Sequence, residues 1–159
     1  MKKNLIWQLM AVLGVLTFCF FNFPYISTHS GKYSSSENGY SVMGKWADGF
    51  SGGLLALTQL LVWAVAFLLV IFSLYRIYCE ITGKNVLESV CGLSVKGLSE
   101  LAFLLHGILQ LLFMIFAIIY TVNLSNGISY AVNIGAILNF ILSVGLNIFY
   151  FTQKLLGKV

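Results

Sequence analysis

Four apolar runs, at 5–23, 54–75, 101–122 and 131–151, leave this chain few ways to fold. Each is near the ~20 residues that a helix needs to cross the hydrocarbon of a bilayer. Inside lipid a segment must satisfy its own backbone hydrogen bonds, so such runs cross as helices. The remaining stretches, 24–53, 76–100 and 123–130, are too short for a second body. The expected architecture is an all-α integral membrane protein, a single membrane domain over 1–159, built as a four-transmembrane-helix bundle. Composition excludes the soluble alternative: 9% of the 159 residues are charged, against about 25% in soluble domains.

The first run follows Lys2 and Lys3 and has to be weighed against a signal peptide. No small-residue cleavage site follows it. Phe20, Phe21, Asn22 and Phe23 precede Pro24, and Phe18 is too bulky for a lipoprotein box ending at Cys19. An uncleaved span is expected, with Gln8, Ala11, Val15, Cys19 and Asn22 on one face. In the outer loop, 24–53, Asn38-Gly39 predicts a hairpin turn between Tyr25-Ile26 and Tyr40-Ser41-Val42. Trp46 and Phe50 read as interfacial anchors.

The second span is expected to continue through Arg76 to Thr82 and stop at Gly83. Gln59, Trp63, Ala66, Val70 and Ser73 share one of its faces. In the inner loop, 76–100, Asn85 and Glu88 have capping spacing for a short helix over Val86, Leu87 and Val90. Gly92 and Gly97 are expected to separate it from the third span. Asn126-Gly127 marks the short outer turn.

Orientation follows from the basic residues. With the N-terminus in the cytosol, Lys2, Lys3, Arg76, Lys84, Lys96, Lys154 and Lys158 lie inside, while Lys32 and Lys45 lie outside. This positive-inside bias assigns both termini to the cytosol. The sequon at Asn123 and Ser125 then faces out. Cys79 and Cys91 fall in the cytosolic loop, so no disulfide framework is expected. Four spans with a larger first outer loop resemble claudins and tetraspanins in outline. The outer loops hold no cysteine, so neither family's cysteine pattern is present and no family is assigned.

The last run carries the main polar signal: Gly135, Asn139, Ser143 and Asn147, at four-residue steps. On a helix these form a slowly winding stripe that must face protein or water. Gly135 is expected to be a close-packing contact with the third span. That span adds His106 and Gln110, on an arc continued by Ala117 and Thr121. Gln8 and Ser73 complete a candidate intramembrane polar cluster: Gln8, Ser73, His106, Gln110, Asn139, Ser143 and Asn147. By rise per residue, His106 and Asn147 should share a depth of about 6–8 Å from the inner boundary. Asn22, Gln59, Thr121 and Asn133 would form a further layer near the outer face.

His106 is the one ionisable residue well inside a span, and such residues are functional candidates. Against a proton or ion route stands the lack of Asp or Glu at depth. Interhelical hydrogen bonding that fixes packing is the simpler role. Glu100, at the mouth of the third span, reads as a solvated helix-start carboxylate. Catalysis lacks a visible residue set, and no cofactor or metal is expected. The scattered basic residues exclude a nucleic-acid partner. The chain is therefore expected to act non-catalytically in the lipid bilayer. It would bind another membrane protein, as an accessory subunit, assembly factor or immunity-type protein, or self-associate. An oligomeric pore or small transporter is the alternative reading, and a membrane enzyme a second. The Lys-, Asn- and Ile-rich style points to a bacterial cytoplasmic membrane.

Overall fold

Gly83 ends the longest helix as expected. Its φ of 66° is the left-handed turn that favours glycine at a helix stop. The computed structural model describes residues 5–30, 32–85, 89–90, 93–123 and 129–157. The order is helix α1 (Leu5–Phe20), strands β1 (Pro24–Ser30) and β2 (Tyr33–Asn38), and short helix α2 (Gly39–Val42). A 3₁₀ turn at Lys45–Ala47 leads into α3 (Gly49–Thr82). Strands β3 (Ser89–Val90) and β4 (Leu93–Ser94), helix α4 (Val95–Asn123), β5 (Ser129–Val132) and α5 (Ile134–Leu155) complete it. The fold is mostly helical. Of the four principal helices, α3, α4 and α5 are long and apolar enough to span a membrane, and α1 is a shorter apolar helix.

One end of the bundle is not purely helical. Strands β2, β1 and β5 form an antiparallel sheet in that order. The hairpin of β1 and β2 pairs Ser30 with Tyr33 and Pro24 with Asn38, so its turn is not at Asn38-Gly39. Asn38 instead caps α2, its side chain accepting from Tyr40 N and Ser41 N. An Asx cap competes directly with a hairpin turn at the same residue. The sheet also shortens two predicted spans. Pro24 starts β1, so α1 ends at Phe20 rather than 23. Ala131 and Val132 pair with β1, so α5 starts at Ile134. A bulge between Pro24 and Ile26 turns Tyr25 into the bundle, where it is fully buried.

At the opposite end, Gly97 lies inside α4 rather than breaking it. Ser94 Oγ accepts from Gly97 N at 3.0 Å and caps the helix. The predicted loop helix falls partly on Val86, Leu87 and Glu88, outside the described residues, as do Lys2, Lys3, Cys91, Gly92, Asn126, Gly127, Ser125 and Lys158. The described part of that loop pairs β3 with β4 instead.

Helix faces sort by side-chain chemistry. Met10, Leu13, Leu55, Leu69, Phe103 and Phe113 point inward and are fully buried. The outward faces of α3, α4 and α5 carry leucine, isoleucine and phenylalanine. Two close approaches fix the packing. A Cβ on Gly14 would lie 2.7 Å from Val70 Cγ2 and 3.1 Å from Ala66 O, so α1 rides against α3 there. A Cβ on Gly107 would lie 2.7 Å from Asn147 Nδ2, which places the corresponding α4–α5 contact.

Candidate functional site

Thr17 of α1 is the hub of a buried hydrogen-bond network. Its hydroxyl donates to Asn139 Oδ1 of α5 at 3.0 Å and lies 3.3 Å from His106 Nε2 of α4. His106 Nδ1 is 2.7 Å from Ser143 Oγ. Asn139 Nδ2 donates to the Tyr25 hydroxyl at 2.8 Å. These bonds determine the tautomer. Thr17 has one proton and gives it to Asn139, so it accepts from His106 Nε2–H. Nδ1 is then the bare nitrogen and takes the Ser143 proton. A neutral imidazole thus uses both nitrogens, and one network ties α1, α4, α5 and β1. Thr17, His106, Asn139 and Ser143 are all fully buried.

The predicted cluster is only partly assembled. His106, Asn139 and Ser143 come together. Asn147 lies beside them but donates to Phe103 O at 3.0 Å and to Ser143 O at 2.9 Å. Gly107 leaves the space that Asn147 fills, so Ser143, not Asn147, reaches His106. Gln110 is fully buried, yet neither end of its amide has a hydrogen-bond partner among the described residues. Ser73 stands apart: it donates to Leu69 O of its own helix at 2.8 Å and lies 3.3 Å from Trp7 O. Gln8 is exposed on the outside of α1 and belongs to no interior cluster.

Gly135 packs differently from expectation. A Cβ there would lie 2.8 Å from Pro24 O and 2.8 Å from Tyr25 Cδ2. The glycine admits β1 and its inward tyrosine, not α4. The outer layer does not form either. Asn22 is exposed and donates to Phe18 O, Thr121 bonds Ile118 O, and Asn133 caps α5. Gln59 alone is buried, donating to Gly39 O at 3.3 Å.

Two clasps close the bundle ends. At the end away from the three-stranded sheet, Glu100 accepts from the Tyr150 hydroxyl at 2.7 Å and pairs with Lys154, so it is more than a solvated helix-start carboxylate. At the sheet end the Tyr120 hydroxyl donates to Asp48 at 2.6 Å. Lys45 lies 2.6 Å from Glu37 and 3.2 Å from Asp48. The Tyr120 bond, aided by Lys45, holds the Asp48 carboxyl below its usual range. Burial pulls Lys45 down, but its bonds to Glu37 and Asp48 outweigh that and hold it above its usual value.

Thr17 and Tyr25 were missed by sequence reasoning. A threonine in an apolar helix normally bonds its own backbone, and Tyr25 reaches the core only because of the bulge. The four-residue stripe was the signal for Asn139 and Ser143.

Chemically, Ser143 Oγ on His106 Nδ1 meets the distance asked of a nucleophile–base pair. Both residues are fully buried, and neither lines any of three grooves on the molecule's exterior. The group on the far ring nitrogen is a hydroxyl, not a carboxylate. Among the described residues no three His, Cys, Asp or Glu side chains group as a metal site. The chain matches no protein-family model, and no curated protein or solved structure is significantly similar to it.

Proposed function

We propose that this is a small non-catalytic protein of a bacterial-type cytoplasmic membrane, with four spans and both termini in the cytosol. It acts by binding another membrane protein or a second copy of itself. What carries the reading is the way most interior polar groups are consumed. Thr17, His106, Asn139, Ser143 and Tyr25 bond one another across three helices and a strand. A water-filled path would instead present such groups to a lumen. Bonds of this kind fix packing at about 0.6–2 kcal/mol each. The short α1 fits as the fourth span because its outer end continues into the sheet, with Phe21 and Tyr25 fully buried.

A pore is the second reading. The observation favouring it is Gln110, an unpartnered buried amide one turn from His106. Purified protein in liposomes separates the two. The expected result is no ion or proton flux above empty vesicles, together with a stoichiometric membrane partner, or a second copy, recovered from native membranes. Flux abolished by His106→Gln in folded protein would overturn the interaction reading. An active-site serine probe tests the enzyme alternative. No labelling is expected, and labelling lost in Ser143→Ala would establish a reactive serine.

A further inference from the structure

The clasp at the sheet end carries more negative charge than positive. Lys45 Nζ is the cation for two carboxylates, 2.6 Å from Glu37 Oε1 and 3.2 Å from Asp48 Oδ2. The Tyr120 hydroxyl donates to that same Asp48 oxygen. Asp48 Oδ1 takes neither bond, and Glu37 Oε2 is buried with no hydrogen-bond partner among the described residues. Tyr120 and Lys45 together keep Asp48 ionised. A groove of ≈ 380 Å³ opens beside this charge, lined by Asp48, Ser51, Phe50, Leu54, Phe116 and Ile119. Phe50 is 85% exposed, so the chain leaves that wall almost uncovered. The apolar lining continues along both helices. Leu57 and Leu61 follow Leu54 at helical spacing on α3, Leu112 and Ile115 lie one turn from Phe116 and Ile119 on α4, and all four are exposed. Tyr120 is 20 residues from Glu100 along α4, about 30 Å by rise. The groove therefore sits where the hydrocarbon of a bilayer would give way to headgroups.

We infer that this groove holds the primary ammonium head of a phospholipid, as in phosphatidylethanolamine, with the acyl chains running down the apolar faces of α3 and α4. The inference rests on the proposed placement of the chain in a bilayer. Charge selects the head. A primary ammonium brings the missing positive charge, N–H donors for Asp48 Oδ1, and a cation for the Phe50 and Phe116 rings. A quaternary ammonium offers the rings its charge but has no N–H for the carboxylate. An anionic head such as phosphatidylglycerol would add a further negative charge beside Glu37 and Asp48. The lining selects the source. A free amine would leave Leu54, Phe116 and Ile119 in water, whereas the chains of a lipid cover them.

The test is native mass spectrometry of the full chain in mild detergent, offered phosphatidylethanolamine, phosphatidylcholine and phosphatidylglycerol with identical chains. A first bound lipid severalfold richer in phosphatidylethanolamine is expected. Asp48→Asn should abolish that preference, and Ile141→Ala, on the outward face of α5, should keep it. Asp48 also holds the clasp, so its variant can fail to fold. Phe50→Ala then decides, because Phe50 is exposed and takes no part in the clasp. It should melt like wild type and lose most of the preference. Equal binding of the three lipids, a preference for phosphatidylglycerol, or a preference that survives in folded Asp48→Asn or in Phe50→Ala overturns the site. Carbonate extraction of native membranes separates this failure from that of the bilayer placement. Retained protein without the lipid preference overturns the site alone, whereas released protein overturns the placement and the site with it.

Discussion

At the scale of single residues, Thr17 and Gln110 make opposite predictions. Thr17→Val keeps the shape but leaves His106 Nε2–H and Asn139 Oδ1 unpartnered in the core. A buried polar group stripped of its partner costs about 1–3 kcal/mol. Thr17→Val should therefore lower thermal stability in detergent, and Thr17→Ser should restore most of it. Gln110 has no partner among the described residues, so Gln110→Leu removes a desolvation cost and loses none of the described bonds. It should be neutral or raise stability, by up to about 1 kcal/mol. If Gln110→Leu destabilises as much as Thr17→Val, its amide is held by a group outside the described residues. The stripe on the last span announced Asn139 and Ser143, because four-residue spacing survives any error in helix ends. It could not announce Thr17, whose partner depends on how α1 is rotated against α4 and α5. Gln8 was misplaced for the same reason: periodicity groups residues on a face but does not say which way the face points.

Among elements, the decisive contact is between β1 and the start of α5. Gly135 makes room for Pro24 O and Tyr25, so a backbone atom and a fully buried ring must move if a side chain is added. Gly135→Ala should destabilise by about 1–3 kcal/mol through overpacking. Gly107→Leu should do the same by expelling Asn147 from its place beside Phe103 O. Thermal melts of both against Gly145→Ala, where a Cβ meets open space, would check this. An equal loss at all three sites would rule out these close contacts as the cause, since replacing a helical glycine by itself favours the helix. The outer clasp adds a pH dependence. Asp48 has a lowered pKa, so its contribution is present above the ordinary Asp value of about 3.9 and is lost as pH falls through the depressed folded value. Stability should therefore fall below pH ~4, and Tyr120→Phe should flatten that fall by removing the main cause of the shift. The long helices were legible in the sequence because lipid leaves a 20-residue apolar run one solution. The sheet was not, because β5 is four residues long and pairs with a strand about a hundred residues earlier.

For the whole molecule, α4 sets the thickness. Glu100 and Tyr120 are 20 residues apart on one helix, about 30 Å by rise, which matches the hydrocarbon of a bilayer. Both mark clasps: Tyr120 on Asp48 and Tyr150 on Glu100. Each joins a tyrosine to a carboxylate near an end of that stretch, and between them α3, α4 and α5 turn apolar side chains outward while the Thr17 network lies inward. That arrangement gives the bundle two ends but does not say which is cytosolic. The proposed orientation rests on the basic residues: Arg76, Lys84, Lys96 and Lys154 gather with the Glu100 clasp, against Lys32 and Lys45 with the sheet. The native cysteines make poor reporters of this. Cys79 is buried, and Cys19 is exposed on α1, the helix we propose as the fourth span. Exposed positions on the two loops serve better. In a background without native cysteines, Tyr33→Cys should react with an impermeant thiol reagent added to intact cells. Lys84→Cys should react only after the membrane is opened. Tyr33 is 84% exposed on β2, and Lys84 is exposed just beyond α3, so burial cannot mask either result. Labelling of Lys84→Cys from outside, with Tyr33→Cys protected, would invert the bundle. The sheet would then lie in the cytosol, and the positive-inside bias would have to yield.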